Sequence, residues 1–205
     1  RRSLPKEPPP MSRWFGRTEG IQPGGGVVPM ENGPGHKPPR EKFDIDAMPV
    51  IERRRIEAMV LGPMLRAFQK EFGVEKTNAV ARRVITDVAR EQGRAFAERI
   101  GKRDLKSFAA NKEPWRRSGA LEIQTVEETE TSYAFNVTRC RYAEMYRELG
   151  FGDLGDVFSC TRDFEFSKGF NPEVKLTRTQ TIMKGAPFCD FRYELKPVAK
   201  TGAAT

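Results

Sequence analysis

Histidine, tryptophan and cysteine are all scarce in this 205-residue chain, with one, two and three copies. The lone histidine, His36, lies in a segment dense in proline and glycine, so a Cys–His dyad would require that segment to fold over the site. The cysteines form no CxxC pair, and four zinc ligands cannot be assembled at ordinary spacings. No GxGxxG, P-loop or HExxH pattern occurs, and Gly24-Gly25-Gly26 sits in the proline-rich segment, away from any strand-to-helix turn. No apolar run reaches the roughly 18 residues that a bilayer-spanning helix needs. Arg1-Arg2 leads into Leu4-Pro5 with no apolar export core behind it. Reduced thiols, a cytoplasmic location and no bound metal or cofactor are the resulting expectations.

What is present is charge. The formal net charge is +8, which raises nucleic acid as a partner. The distribution argues against it. Arg53-Arg54-Arg55 runs at once into Ile56-Glu57, Arg82-Arg83 sits in a helical pattern, and neither run is interleaved with aromatics that could stack on bases. The reading is a solvated basic surface with no nucleic-acid or membrane partner. A positive field also suits a small anionic substrate.

Residues 1–42 read as an extended arm, because Pro8-Pro9-Pro10, Gly24-Gly25-Gly26 and Pro38-Pro39 leave too little apolar surface to offset ordering. Trp14, Phe15, Ile21, Val27 and Val28 would anchor that arm to its own domain or to a neighbouring subunit, which points to a homo-oligomer formed through it. Residues 43–197 read as one domain and 198–205 as a flexible tail.

Within the domain, helical spacing covers residues 49–72, with Ile51, Ile56, Met59, Val60, Pro63, Met64 and Phe68 on the expected core stripe and Gly62-Pro63 set to kink or split it. A second helix is expected from the N-cap Thr77 to Gly101, with Ala81, Val84, Ile85, Val88, Phe96 and Ile100 inward, and a third over 104–115. From Leu121 the period changes to two, giving a hairpin through Tyr133, Phe135 and Val137. Helical spacing returns over 142–149 and 154–164, and two strands follow at 174–183 and 188–195. The expected fold class is α+β: an antiparallel sheet of about four strands with helices packed on one face.

Candidate chemistry concentrates in the last third of the chain. On the strand expected at 174–183, Val174, Leu176, Arg178, Gln180 and Ile182 share a face, so Arg178 interrupts an apolar surface. An arginine there calls for an internal carboxylate or an anionic ligand, and both readings stay open. On the last strand Cys189, Phe191, Tyr193 and Leu195 share the apolar face, which buries Cys189 and turns Asp190 and Arg192 the other way. Cys160 and Asp163 stand three apart on a helical pattern, which brings them together. That spacing suits a cysteine nucleophile with an aspartate base, a Cys/Asp metal pair, or an ordinary amphipathic edge.

Taken together, Phe135-Asn136-Val137-Thr138-Arg139-Cys140, Tyr142-Ala143-Glu144, Cys160-Thr161-Arg162-Asp163, Arg178-Thr179-Gln180-Thr181 and Gly185 with Cys189-Asp190-Phe191 resemble the L-2-amino-thiazoline-4-carboxylic acid hydrolase family. The resemblance spans roughly residues 50–195 and implies ring-opening hydrolysis of a small five-membered heterocycle with a C=N or amide bond and a carboxylate. On that reading Cys189 is the first choice of nucleophile and Cys160 the second, and Asp163 or Asp190 shuttles the proton. Arg178, Asn136, Cys140 and Gln180 would then bind the anionic substrate. Two other readings remain, a non-catalytic small-molecule-binding domain and a metal-dependent hydrolase with cysteine ligands.

Overall fold

The computed structural model describes residues 44–195. The expected arm at 1–42, with His36 and its anchoring aromatics, lies outside the described residues, as does the tail at 198–205. Backbone contacts place residues up to Ala47 in one unit and residues from Met48 onward in a second. Of the first unit, the described part is a 3₁₀ turn, Ile45–Ala47.

The second unit opens with helix α1, Val50–Phe72, entered from Pro49. It runs through Pro63 as one helix, so Gly62-Pro63 does not split it. Pro63 faces solvent, so water can satisfy the carbonyl that loses its partner. Gly62 meanwhile lies under the Phe151 ring, where a Cβ would come within 2.3 Å of Cζ. Gly73, at φ 87°, ends α1 and starts α2, Val74–Ile100. Thr77 is therefore a buried residue inside α2 and not its cap. Gly101 closes α2 in the left-handed conformation.

The helix expected at 104–115 is two. Asp104 caps α3, Leu105–Ala110, by accepting from the Ser107 N–H at 2.7 Å, and α4 spans Glu113–Arg116. Strands β1, Leu121–Glu128, and β2, Ser132–Cys140, form the hairpin. Helix α5, Arg141–Glu148, follows directly. A π-helical turn, Asp156–Cys160, leads into α6, Arg162–Phe170. Strand β3 spans Val174–Thr177 and β4 spans Cys189–Leu195. The sheet has four antiparallel strands in the order β1-β2-β4-β3.

Strand β3 stops well short of residue 183, so the parity that put Arg178 and Gln180 on an apolar strand face does not apply. The Asp190 carboxylate accepts the Thr179 N–H at 3.0 Å and the Gln180 N–H at 2.8 Å, diverting donors that would otherwise extend the ladder. A 3₁₀ turn, Ile182–Lys184, follows.

One face of the sheet packs on α2, α3 and α6. Phe96, Phe108 and Phe170 from the helices meet Tyr133, Phe135, Val137, Leu176, Cys189 and Tyr193 from the strands. The expected stripe on the first two helices is divided: Ile51, Ile85 and Phe96 are buried as expected, but Val60 is 60% and Val84 54% exposed, and Ile56, Met64, Phe68 and Val88 are exposed too. The buried sides use small residues instead, including Ala58, Gly62, Ala89 and Gly93. Small side chains let backbones approach closely, and the larger apolar residues are left facing out. No helix among the described residues is long and apolar enough to cross a membrane.

Candidate functional site

A β-bulge decides which thiol enters the core. Arg139 pairs with Glu122 but Val137 pairs with Ile123, so Thr138 is the extra residue in β2. A bulge reverses the alternation beyond it. Arg139 consequently faces out, at 2.9 Å from Glu144, while Cys140 packs against the core at the end of β2. Cys140 is also the N-cap residue of α5. Cys189 stands opposite Val137 at the start of β4, on the same face. The Ile182 N–H donates to its Sγ at 3.2 Å.

The third wall comes from α6 and the turn before it. Cys160 ends the π-helical turn, and Asp163 lies in the first turn of α6. Arg178, just past β3, donates through Nη1 to Asp163 Oδ2 at 2.5 Å and through Nη2 to the Cys160 carbonyl at 2.8 Å. Its guanidinium is sandwiched by Phe164 and Phe191, with ring centroids 5.0 and 4.9 Å away. The Arg178 side chain is only 5% exposed, whereas that of Asp163 keeps 35% of its surface open. Burial nonetheless raises the Asp163 carboxyl above its ordinary range, against the pull of Arg178. A carboxyl enclosed by protein and still open at its surface lines a recess.

Each of the three thiols feels the Asp163 charge. Burial pushes Cys140 up to about 11, with the Ala143 N–H opposing the rise. Cys160 is raised by burial and then by Asp163, with Arg178 opposing. Cys189 is raised by burial, with the Ile182 N–H and Arg178 opposing. All three are therefore thiols, not thiolates, at neutral pH. Among the described residues, no three of His, Cys, Asp and Glu are grouped to hold a metal ion.

Two expected site residues stand elsewhere. Asn136 and Asp190 are register partners on the sheet face opposite Cys189. Asn136 Oδ1 accepts from Arg192 Nη2 at 2.9 Å. The Asp190 carboxylate also accepts the Thr179 hydroxyl at 2.6 Å. Burial opposes the charge on Asp190, but that hydroxyl and the two N–H groups hold its carboxyl below the ordinary range. Asp190 positions the segment bearing Arg178, and its commitments leave it poorly placed to shuttle protons for the thiols. Gln180 lies in that segment, and its side-chain nitrogen is buried with no hydrogen-bond partner.

The residues matched by the family model for L-2-amino-thiazoline-4-carboxylic acid hydrolase are 53–193, and they include every side chain of this recess. The chain belongs to that family. Its fold class is the α+β arrangement expected from the sequence. No curated protein matches the sequence. Among solved structures, the chain is similar to a trafficking protein particle complex subunit 3 from Naegleria fowleri, covalently bound to palmitic acid, at 12% identity and a TM-score of 0.45. That match covers 71% of this chain and 96% of the other.

One charged residue packed on this sheet face escaped the sequence reading. Lys112, between α3 and α4, places its Nζ over the rings of Phe108, Tyr193, Phe135 and Tyr133, at 4.2, 4.3, 4.7 and 4.9 Å. Its sequence neighbours, Asn111, Glu113 and Pro114, suggest a surface turn. A usable signal was strand parity, which puts Tyr133, Phe135 and Tyr193 on one sheet face and calls for something to cover it.

Proposed function

We propose that this protein is a hydrolase that opens a small cyclic amidine-type ring carrying a carboxylate, with an aminothiazoline carboxylate as its type substrate. The observation that carries this reading is Asp163. Arg178 occupies its Oδ2, and its surface remains open to the recess. An amidine group presents N–H donors that a carboxylate matches as a paired acceptor. Holding the positive charge on those nitrogens makes the carbon between them and the sulfur a better electrophile. The remaining N–H groups of Arg178, the nearby Arg162 guanidinium and the unpaired Gln180 nitrogen supply donors and positive field for the substrate carboxylate.

Among the thiols, Cys140 is the best equipped nucleophile. It is partly open, and it stands at the N-cap position of α5, where the Ala143 and Tyr142 N–H groups favour a developing thiolate. Cys189 is buried in the core, and Cys160 has Asp163 beside it raising its pKa further. The order read from sequence, Cys189 then Cys160, gives way to Cys140. In the first half-reaction the Cys140 thiol loses its proton to a base, its sulfur bonds to the amidine carbon, and the ring carbon–sulfur bond breaks. The departing ring sulfur takes up the proton. In the second, water adds to the same carbon and the Cys140 thiol is restored, for a net gain of one water.

The test is turnover of an aminothiazoline carboxylate by single cysteine variants. Cys140→Ala is expected to lose about a thousandfold in kcat, while Cys160→Ala stays within about tenfold of the parent. Intact-mass analysis of quenched turnover should show an adduct on Cys140. Full activity in Cys140→Ala would remove the covalent step.

A further inference from the structure

Helices α1 and α2 are built the wrong way round for a monomer. Their middles lay Ala58, Gly62, Ala89 and Gly93 on the body of the protein and turn larger apolar residues to water. Of the twelve large apolar residues left exposed among the described residues, ten stand on these two helices, so they form a patch and are not scattered. A helix that meets only solvent carries polar and charged residues on its outer side. On α1, by contrast, Ile56, Val60, Met64, Phe68 and Phe72 recur at every fourth position, all exposed. On α2, Val80, Val84 and Val88 repeat the pattern.

Rows at this spacing are ridges. Helices pack most often by seating such a ridge beside the matching ridge of another helix, so the face is shaped for helices. At these exposures the ten side chains leave on the order of 800 Å² uncovered, the share that each partner brings to a standard protein–protein interface. The largest apolar patch of an ordinary monomer is smaller, at about 300–600 Å².

We infer that two copies of this chain dimerise through the α1–α2 face, with α2 antiparallel to the same helix of the partner across a two-fold axis. The dimer is independent of the chemistry assigned to the recess, and it uses a different surface from the arm at residues 1–42. Charge selects a second copy as the occupant. Arg82 and Arg90 of α2 are tied to Asp156 and Glu165 on the body, and Arg94 is tied to Glu91. Arg83 and Asp87, one turn apart along the edge of the valine row, are exposed and make no ion pair among the described residues. An axis crossing α2 near residue 85 sets Arg83 beside the partner's Asp87, and the symmetry forms the same pair a second time. A parallel arrangement would set Arg83 against the partner's Arg83, which like-charge repulsion disfavours.

Sedimentation equilibrium of the full-length protein tests the dimer. The parent is expected to be a discrete dimer at about ten micromolar. Val60→Glu and Val80→Glu each put a carboxylate into the apolar face, twice per dimer, and should raise the dissociation constant about a hundredfold or more. Both positions are exposed within one copy, so the circular dichroism of these variants should match the parent's. Val84→Leu keeps the row apolar and should leave the dimer intact. Arg83→Asp and Asp87→Arg should each weaken association about tenfold or more, and the double variant should recover it, which damage to the fold would not do.

A parent that stays monomeric at about a hundred micromolar overturns the inference. If that monomer sediments with phosphatidylserine vesicles, the stripe belongs to a lipid surface instead. A dimer unmoved by both glutamate variants overturns it too, because the contact then lies elsewhere. Single charge reversals without effect overturn the antiparallel packing of α2, and open-ended oligomers overturn the two-fold closure.

Discussion

Asp163→Ala is expected to destabilise the protein by roughly 2–3 kcal/mol and to reduce turnover by a hundredfold or more. Two consequences of one geometry combine. Arg178 is 5% exposed and is held by Asp163, by the Cys160 carbonyl and by two aromatic faces. Removing the carboxylate leaves a buried cation with one carbonyl as its partner, the situation in which broken buried pairs cost most. The figure is below the 3–5 kcal/mol typical of fully enclosed pairs because Asp163 keeps contact with solvent. Adding Arg178→Met should return much of the stability and none of the turnover. That split separates the structural cost from the catalytic one. A urea melt of the single and double variants measures the first quantity, and a kcat determination the second. Equal stability of Asp163→Ala and the parent would mean that the pair does not hold the recess together.

The direction of the Asp163 shift makes a further statement. Its carboxyl is raised above the ordinary 3.8, so the folded protein keeps that proton to higher pH than the unfolded chain does. This group's contribution to stability is complete below 3.8 and is lost as pH rises through the folded value. Asp163→Asn should remove that decline, whereas Asp190, which is depressed, contributes in the opposite sense.

Gly93→Leu and Gly169→Leu should each cost roughly 3 kcal/mol or more. Helices α2 and α6 touch backbone to backbone at these two residues. A Cβ on Gly93 would lie 2.1 Å from the Phe166 carbonyl oxygen, and one on Gly169 would lie 2.0 Å from that of Arg90. Neither neighbour is a side chain that can rotate away. The crossing is fastened on its rim, where Glu165 pairs with Arg90 and accepts from Lys168 at 2.6 Å. Asp163 rides in the first turn of α6 and Cys160 in the turn before it, so prising the helices apart would also move the recess. Val84→Leu, on the exposed side of α2, is the control and should stay within about 0.5 kcal/mol of the parent. Denaturant midpoints of the three variants test the crossing. A tolerated Gly93→Leu would show that the helices do not meet this closely.

The sheet was legible in the sequence because its signal is local. Alternation through Tyr133, Phe135 and Val137, and again through Cys189, Phe191 and Tyr193, is a property of a few consecutive residues. The helical stripes misled because periodicity marks an apolar face without saying what covers it. Large residues such as Val60 and Val84 looked like core, while the actual contacts run through glycine and alanine. Arg178 was flagged for a sound reason, the cost of burying its charge, on the wrong premise of a longer strand. Its partner is Asp163, which the sequence offers as a neighbour of Cys160 and, through the family resemblance, as a proton shuttle. Cys140 and Lys112 were the least legible. One depends on a bulge at Thr138 that alternation alone does not reveal, and the other on rings that converge from residues 108, 133, 135 and 193.

The most direct test is to incubate the purified protein with 2-aminothiazoline-4-carboxylate and follow the solution by proton NMR and mass spectrometry. The expected result is a ring-opened N-carbamoyl-cysteine heavier by one water, formed by the parent and lost in Asp163→Asn. Unchanged substrate with the parent, or equal turnover by Asp163→Asn, would contradict the assignment of this recess as the place where the ring is opened.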